Sequence, residues 1–264
     1  MKSARQKKII DLLMRDGFVK TSELQSSLGV SIETIRRDFN QLEKEGILIK
    51  TYGGATLAVQ QQVYVKPDRD TWQKRMSISV REKTAIALRA IEYIKNGSLL
   101  AMDSGTTTYE FAKHLNKHSD ITVITNDINI TEVILRNGSN QVFLLGGMVT
   151  TNGSTNGYLA KQALSSFSQI DMYVFSCDGV TIEDGFTTSS LENNELKRML
   201  AEKALKRIAL VDHTKFGKKA LFKISGLEHI DVLITDSMAP QGMIDQMREK
   251  GILVDVIPVA EEGG

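Results

Sequence analysis

The sequence predicts two domains, a small helical domain at the N-terminus and a larger α/β domain with a doubly wound, mostly parallel sheet. Two observations lead to this prediction. Residues 1–50 are rich in helix-forming residues and carry short apolar repeats. From about residue 79, seven apolar runs alternate with helix-like segments, and such alternation is typical of a parallel sheet. The 264 residues suffice for one large or two unequal domains.

The composition is that of an ordinary globular protein, with 41% hydrophobic and 25% charged residues. The net charge of +1 means that any surface that binds a polyanion must be local. The single cysteine, Cys177, excludes an internal disulfide and fits a reducing compartment. The charged N-terminus does not resemble a signal peptide, and no apolar run has the length of a membrane span. We therefore expect a soluble cytoplasmic protein with no membrane partner.

Three short helices are predicted in the first fifty residues, at about 4–15, 21–28 and 32–45. Thr21 or Ser22 is expected to cap the second helix, and Ser31 is expected to cap the third. Gly29 allows a tight turn between these two helices. Two short helices joined by a glycine turn are typical of a helix-turn-helix.

The third helix has two faces of opposite character when its residues are placed at intervals of about 100°. Its apolar face is predicted to consist of Ile32, Ile35, Phe39 and Leu42. Its opposite face carries Glu33, Arg37, Asn40 and Lys44, with Arg36 on the flank. Arginine, asparagine and lysine side chains suit the base edges and phosphates of a major groove. A charged face that only contacts water is the alternative.

The segment after the third helix, GILIKTYGGA, combines a short apolar strand with Lys50 and a Gly53-Gly54 turn. It predicts a hairpin wing beside the helix, with Lys50 available for a phosphate. The longer stretch VSIETIRRDFNQLEKEGILIKTYGGA resembles the DNA-binding signature of the DeoR/GlpR family of bacterial transcriptional regulators. The matching residues are Val30, Ser31, Thr34, Ile35, Arg36, Arg37, Asp38, Gly53, Gly54 and Ala55.

This resemblance implies a winged helix-turn-helix at residues 1–57 that binds operator DNA, and most members of the family are repressors. The expected DNA-binding residues are Thr21, Ser31, Glu33, Thr34, Arg36, Arg37, Asn40, Lys44, Lys50, Tyr52 and Gly53. Paired recognition helices match repeated half-sites in DNA, so we expect a homo-oligomer, either a dimer or a tetramer.

Four strand-like runs of the larger domain end in an aspartate, namely Asp103, Asp178, Asp212 and Asp236. Ligands of open parallel sheets bind at the carboxyl ends of the strands. Four aspartates at that edge predict a polar crevice, which suits a polyhydroxylated ligand such as a sugar. The alternative is that each aspartate only starts a loop or caps a helix.

The segment AMDSGTTT, residues 101–108, lies at a predicted corner between a strand and a helix. Gly105 lets a ligand approach the backbone. Thr106 and Thr107 offer hydroxyls and N–H groups at the helix start, where anions such as phosphate bind. No lysine follows as it does in a Walker A loop, so nucleotide hydrolysis is not expected. A plain helix cap is the alternative.

Several segments of this domain resemble the sensing domain of the same family, and the resemblance extends from residue 1 to about 257. It implies a sugar-phosphate sensor at residues 79–260, joined to the first domain by a linker at residues 58–78. It also implies a fold similar to that of ribose-5-phosphate isomerase. The candidate effector-binding residues are Asp103, Ser104, Gly105, Thr106, Thr107, Asn126, Gly146, Gly147, Asp178, Gly179, Lys197, Asp212 and Lys215.

An enzyme similar to a sugar-phosphate isomerase is the main alternative function, because the sensor of the family shares that fold. Its candidate acid-base residues would be Asp178, Glu192, Lys197 and Lys215. The chain lacks an isomerase-type Lys-Gly-Gly-Gly loop, and an enzyme would leave the DNA-binding segment unexplained. We therefore expect no enzymatic activity. A transcriptional activator is the second alternative.

No metal or cofactor site is predicted. The four histidines, at positions 114, 118, 213 and 229, are scattered, whereas a metal site needs clustered ligands. Cys177 ends an apolar strand and is expected in the core, and no G-x-S-x-G nucleophile motif occurs. The sequence thus predicts a repressor of a carbohydrate-metabolism operon that a phosphorylated sugar releases from operator DNA.

Overall fold

The structure is a computed structural model that describes residues 4–16, 18–44, 47–51, 53–57 and 72–259. The chain forms two compact units, Met1–Val63 and Tyr64–Gly264. Most of the predicted linker lies outside the described residues, so the predicted domain borders stay predictions. Among the described residues, no helix is long and apolar enough to cross a lipid bilayer.

The N-terminal unit contains three helices and a small antiparallel sheet. Its elements in chain order are α1 (Ala4–Asp16), β1 (Phe18–Lys20), α2 (Thr21–Leu28), α3 (Ile32–Lys44), β2 (Leu48–Thr51) and β3 (Gly54–Leu57). Strand β3 lies between β1 and β2. The three predicted helices and the hairpin wing are confirmed. The sequence does not predict β1, because three residues are too few to show a strand periodicity.

The turn between α2 and α3 has the geometry that the sequence predicts. Gly29 has a left-handed φ of 63°, which glycine adopts without strain. The Ser31 hydroxyl accepts a hydrogen bond of 3.2 Å from a backbone N–H in the first turn of α3, as an N-cap does. The predicted cap of α2 by Thr21 or Ser22 is wrong, because Lys20 holds the N-cap position and both residues lie inside the helix.

The apolar faces of the three helices and the sheet form the core of this unit. The buried core residues include Ile9, Leu13, Leu24, Ile35, Phe39, Leu42 and Leu48. Ile32 is the first residue of α3 and is 41% exposed, so the buried face begins later in the helix than the periodicity predicts. Asp38 is buried as well. Its charge is compensated by Arg5 of α1, which donates from Nη2 to Asp38 Oδ1 at 3.2 Å.

The C-terminal unit alternates helices and strands along most of its length. Its helices are α4 (Trp72–Ser77), α5 (Val80–Ile91), α6 (Thr106–Lys113), α7 (Ile128–Asn137), α8 (Tyr158–Ser165), α9 (Leu191–Lys203) and α10 (Gln241–Glu249). Its strands are β4 (Leu99–Met102), β5 (Thr122–Thr125), β6 (Gln141–Leu144), β7 (Met148–Val149), β8 (Thr155–Asn156), β9 (Ile170–Phe175), β10 (Gly179–Thr181), β11 (Gly185–Thr188), β12 (Ala204–Leu210), β13 (Phe222–Ser225), β14 (Val232–Asp236) and β15 (Leu253–Ile257).

Seven parallel strands form the central sheet, in the order β15-β14-β12-β9-β4-β5-β6. Each of them corresponds to one of the seven predicted apolar runs. Leu100 and Met102 of β4 belong to a core cluster with α5, α6 and α7. Ala101 between them belongs to a second cluster with α8, α9 and α10. Helices therefore cover both faces of the sheet, and the predicted doubly wound, mostly parallel α/β fold is confirmed.

Two smaller sheets and helix α4 depart from the predicted pattern. Strands β10, β11 and β13 form an antiparallel sheet, and β7 pairs with β8 in a hairpin. Helix α4 falls in the stretch for which the sequence predicts a linker. These elements are too short to show a hydrophobic period. At Gly179 of β10 a Cβ atom would lie 2.3 Å from the carbonyl oxygen of Lys218, so this sheet requires glycine there.

Candidate functional site

The central sheet has a topological switch point between β4 and β9. From β4 the chain proceeds to β5 and β6 on one side, and later to β9, β12, β14 and β15 on the other side. Connections that leave in opposite directions open a crevice at the carboxyl ends of the two strands, where α/β proteins bind ligands. A cavity of about 490 Å³ lies at this point.

Seven parts of the C-terminal unit line this cavity, which we call the switch-point cavity. They are helix α4, the corner between β4 and α6, the loop between β7 and β8, the residues after β9, the end of β11 with the corner that follows it, the first two turns of α9, and β13 with the residue before it. The lining residues are Arg75, Ser104, Gly105, Asn152, Ser176, Cys177, Asp178, Thr188, Ser189, Ser190, Leu191, Asn193, Lys197, Leu221 and Phe222. Most of these side chains are polar.

The AMDSGTTT segment forms the predicted corner between a strand and a helix, because β4 ends at residue 102 and α6 begins at residue 106. Ser104 and Gly105 line the cavity, whereas Thr106 and Thr107 are only 4% and 2% exposed. Thr108 stabilises the corner, since its hydroxyl donates to the carbonyl of Gly105 at 2.9 Å. The first-turn N–H groups of α6 have no acceptor within the helix, and helix starts of this kind attract anions.

A buried ion pair between Asp103 and Lys197 lies next to the cavity. The Lys197 ammonium also donates to the carbonyl of Ser176 at 2.9 Å, and the Ser176 N–H donates to Asp103 Oδ2 at 3.3 Å. These contacts join β4, the end of β9 and α9. Burial lowers the pKa of Lys197, and the positive charge of Arg75 acts in the same direction. Asp103 Oδ1 is buried without a hydrogen-bond partner among the described residues.

Asp178 presents a carboxylate that several donors hold in place. Its Oδ2 accepts hydrogen bonds from the Thr188 hydroxyl at 3.1 Å and from the N–H and hydroxyl of Ser189, both at 2.8 Å. Its Oδ1 lies 3.6 Å from Nη2 of Arg75. Burial raises the pKa of Asp178. The charge of Arg75 and the hydrogen bonds from Ser189 lower this pKa by a larger amount, so the net shift is downward. The carboxylate is therefore ionised at neutral pH.

Two of the four predicted crevice aspartates are used elsewhere. Asp212 Oδ1 accepts from the N–H of Thr214 at 3.0 Å, and Asp236 accepts from the N–H groups of His213 at 2.7 Å and Met238 at 3.0 Å. Neither lines the switch-point cavity. Both stabilise the turns that follow their strands, which is the alternative role of an aspartate at a strand end.

The other predicted effector residues are spread over the surroundings of the cavity. Asn126 is buried and donates from Nδ2 to the carbonyl of Thr155 at 3.0 Å. Gly147 has a φ of 126°, and a Cβ there would lie 2.3 Å from the carbonyl oxygen of Asn156. Outside the lining lie Asp103, Thr106, Thr107, Asn126, Gly146, Gly147, Gly179, Asp212 and Lys215. The side chain of Glu192, a candidate in the isomerase alternative, lies outside the described residues.

The structure adds lining residues that the sequence does not predict. Ser189 and Ser190 form the corner between β11 and α9, and Asn193 lies in the first turn of α9. Ser190 caps that helix. The run TTSSLENN has the polar character of such a corner, so this signal was present in the sequence. No sequence pattern predicts Arg75 as a lining residue, because its segment has no clear periodicity. Cys177 is buried, as expected, and burial raises the pKa of its thiol.

The N-terminal unit presents the predicted charged face of α3. Its exposed residues include Glu33, Arg36, Arg37, Asn40 and Lys44. Lys50 of β2 donates from Nζ to Asn40 Oδ1 at 2.7 Å and lies 2.7 Å from Glu43 Oε2, so the wing and α3 form one surface. Gly53 joins this surface to α2, because its carbonyl accepts from the N–H of Thr21 at 2.9 Å. Tyr52 lies outside the described residues.

The described part of the chain holds no cluster of three or more His, Cys, Asp or Glu side chains that could bind a metal ion. The donors around the switch-point cavity are instead hydroxyls, amides and two cations.

Two family models match this chain. The DeoR-like helix-turn-helix domain matches residues 5–61, and the DeoR C terminal sensor domain matches residues 78–237. Solved structures of ribose-5-phosphate isomerase are also similar to part of the chain. The isomerase in complex with phospho-erythronic acid and the isomerase A from Neisseria gonorrhoeae each cover 51% of this chain and 52% of their own, with TM-scores of 0.39 and identities of 18% and 15%.

Similar proteins extend over nearly the whole chain. The HTH-type transcriptional regulator GolR of Listeria innocua is 34% identical over 96% of this chain and 97% of its own. The putative aga operon transcriptional repressor of Escherichia coli O157:H7 is 32% identical over 98% and 94%. The glycerol-3-phosphate regulon repressor of Escherichia coli K12 is 27% identical over 96% and 98%. This chain, with its helix-turn-helix unit and its α/β sensor unit, therefore belongs to the DeoR family of transcriptional regulators.

Proposed function

We propose that this protein is a cytoplasmic repressor of a carbohydrate-metabolism operon, and that a phosphorylated sugar releases it from operator DNA. The charged face of α3, together with Lys50 of the wing, would bind the major groove and its phosphates. The switch-point cavity would bind the effector. Relatives with names such as glycerol-3-phosphate regulon repressor support this assignment. We also propose a homo-oligomer, because paired recognition helices fit repeated half-sites.

The observation that carries the proposed effector is the composition of the switch-point cavity. Two helices, α6 and α9, begin at its wall, and Arg75 presents a partly exposed guanidinium there. Helix starts and arginine suit a phosphate. The hydroxyl and amide groups of Ser104, Ser189 and Asn193 suit the hydroxyls of a sugar. A phosphorylated sugar combines both requirements in one molecule.

We further propose that the cavity binds its ligand without converting it. Named transcriptional regulators among the relatives support this, and so does the engagement of the acid-base candidates. Lys197 already contacts Asp103 and Ser176, and Asp178 accepts three hydrogen bonds from neighbours. A turnover assay over aldose and ketose phosphates would show binding without product. Reporter expression in a deletion strain would distinguish a repressor from an activator by its direction.

The substitution Asn193→Asp tests the effector assignment. It keeps the shape of the side chain but adds a negative charge in the cavity, and a carboxylate is favourable in the first turn of α9. We expect the wild-type protein to leave operator DNA in a gel-shift assay when the correct member of a phosphosugar panel is added. The Asn193→Asp protein should still bind the operator but need about tenfold or more of that effector, because like charges repel.

A matched control is Asn96→Asp, which adds the same charge at an exposed site outside the cavity. The Oδ1 atom of Asn96 accepts a hydrogen bond from the N–H of Ser119 and lies 3.0 Å from Nδ1 of His118. An aspartate at this position keeps that acceptor oxygen. This variant should respond to the effector as the wild type does. If Asn193→Asp also responds normally, the cavity is not where the effector binds.

A further inference from the structure

Arg75 lies on the wall of the switch-point cavity but belongs to α4, a helix that directly follows the segment leading from the DNA-binding unit in sequence. Its side chain is 37% exposed. Among the described residues, the nearest carboxylate oxygen is Asp178 Oδ1, which is 3.6 Å from Nη2, longer than a hydrogen bond. The guanidinium is therefore near an anion without being fixed by it.

The charges around the cavity balance in pairs. Lys197 faces Asp103 and Arg75 faces Asp178, so a phosphate that enters adds unbalanced negative charge. Lys197 cannot turn to it, because its side chain is only 7% exposed and its ammonium is bound to Asp103 and a backbone carbonyl. Arg75 is half-buried and loosely paired. An arriving phosphate would therefore recruit Arg75 more readily than Lys197.

Asp178 can lose Arg75 without becoming an unsatisfied buried charge. Its other oxygen accepts three hydrogen bonds, one from Thr188 and two from Ser189. Hydrogen bonds to a carboxylate stabilise its charged form. A planar guanidinium gains more from a phosphate, to which it can donate two parallel hydrogen bonds, than from a carboxylate oxygen at 3.6 Å.

Helix α4 contacts the rest of the sensor unit close to Arg75 and at Trp72. The buried Lys83 ammonium donates to the carbonyls of Arg75 at 2.6 Å and Ile78 at 2.7 Å. At the other end of the helix, the ring of Trp72 meets that of Tyr109 edge-on, with centroids 5.6 Å apart. Because α4 has only six residues, Arg75 lies within one helical turn of Trp72, and we expect a change at Arg75 to alter the surroundings of the Trp72 ring.

We propose that Arg75 binds the phosphate of the effector in exchange for Asp178, and that this exchange transmits effector binding to α4. The inference rests on the proposed function, because it requires an anionic effector in the switch-point cavity. It assigns the anion-binding role to a residue in the stretch for which the sequence predicts a linker. It also makes α4 the first element that responds to the ligand.

The single tryptophan of the sequence, Trp72, reports directly on α4. The experiment titrates the full-length protein with inorganic phosphate, with sodium chloride at equal ionic strength as the reference, and records tryptophan emission together with affinity by calorimetry. We expect saturable binding and a change in emission for the wild type. Arg75→Gln should weaken phosphate binding about tenfold and abolish the emission change. Arg75→Lys should restore part of the affinity, because it keeps the charge without the planar fork.

The control is Arg136→Gln, which removes an exposed arginine of α7 outside the cavity, and it should behave as the wild type. Asn193→Asp distinguishes the proposed effector site from the proposed role of Arg75. If it loses phosphate binding while Arg75→Gln keeps both affinity and the emission change, Arg75 has no such role and the effector site stands. If Arg75→Gln loses affinity but the wild-type emission does not change, transmission through α4 is wrong. If the wild type binds neither phosphate nor any phosphosugar, the proposed effector is wrong, and the proposed role of Arg75 is wrong as well.

Discussion

At the scale of single residues, the buried pair of Asp103 and Lys197 holds the sensor site together. Their side chains are 2% and 7% exposed, so each charge depends on the other for compensation. Removal of one partner would leave a buried charge unpaired, at a cost of about 3–5 kcal/mol. The pair links the end of β4 to α9, and it thereby fixes the spacing between the two helix starts that line the switch-point cavity.

Arg37 is the residue of α3 for which we expect the largest effect on DNA binding. Its side chain is 79% exposed and its Nε lies 4.0 Å from Glu33 Oε1, so we expect its donors to be available to a base edge. Arg37→Ala should weaken operator binding by about 1–3 kcal/mol if Arg37 reads a base. A gel-shift titration at fixed salt measures this loss.

Arg136→Ala is the matched control for Arg37→Ala, since it removes an arginine that is 75% exposed on α7 of the sensor unit. It should leave operator affinity unchanged. Equal affinity of Arg37→Ala and the wild type would remove Arg37 from the DNA-binding residues. A loss that is the same for operator and random DNA would make it a phosphate contact instead.

The sequence predicts only part of the cavity, and the reason differs from residue to residue. Ser104, Gly105 and Asp178 line it as expected, because strand ends in a parallel sheet meet at one edge. Lys197 of α9 also lines it, as the resemblance to the family implies. Arg75 could not be found this way, since its place depends on how a six-residue helix packs. The local sequence also does not reveal that Asp212 stabilises a turn instead, as its contact with Thr214 shows.

At the scale of elements, periodicity predicts long elements and fails on short ones. All seven strands of the central sheet and the six longer helices of the sensor unit follow from apolar runs and helical spacing. Helix α4 and the small antiparallel sheets do not, because tertiary contacts stabilise them. Lys83 is such a contact for α4, because its buried ammonium binds two carbonyls at the end of that helix.

Lys83 should make folding stability depend on pH between about 8 and 10.5. Burial lowers its pKa from 10.5 to about 8, and the positive charges of Lys215 and Arg75 act in the same direction, whereas the negative charges of Asp212 and Glu110 oppose the shift. In this window the unfolded chain holds the proton more tightly, so stability rises as pH increases. Relative to Lys83→Met, the free energy of unfolding of the wild type should increase by up to about 3 kcal/mol from pH 7 to pH 11.

Urea denaturation of both proteins at several pH values measures this difference. Other titrating groups are common to the two proteins and cancel in the comparison. Stability curves that stay parallel from pH 7 to pH 11 would mean that Lys83 keeps an ordinary pKa and is not desolvated as the structure indicates. A low stability of Lys83→Met at every pH would not affect the test, because the test uses the slope.

At the scale of the whole molecule, two compact units carry two different surfaces. Met1–Val63 contains the charged face of α3, and Tyr64–Gly264 contains the switch-point cavity. The family assignment joins a DNA-binding domain and a sensor domain in one chain. A ligand of one unit can change the affinity of the other only if it binds two states of the protein differently.

Reciprocal coupling is the test of this regulation. If the phosphosugar effector lowers operator affinity by a certain factor, bound operator must lower effector affinity by the same factor, because both describe one coupling free energy. We expect a factor of about 5 to 150, the range typical of allosteric proteins. Calorimetric titration of the effector into free protein and into the protein–operator complex, beside gel shifts with and without effector, gives both factors.

Equal effector affinity in the two titrations would mean that the ligand does not act on DNA binding, even if it binds the switch-point cavity tightly. Tighter effector binding to the complex would reverse the sign and make the effector a co-repressor, while the site and the coupling would stand.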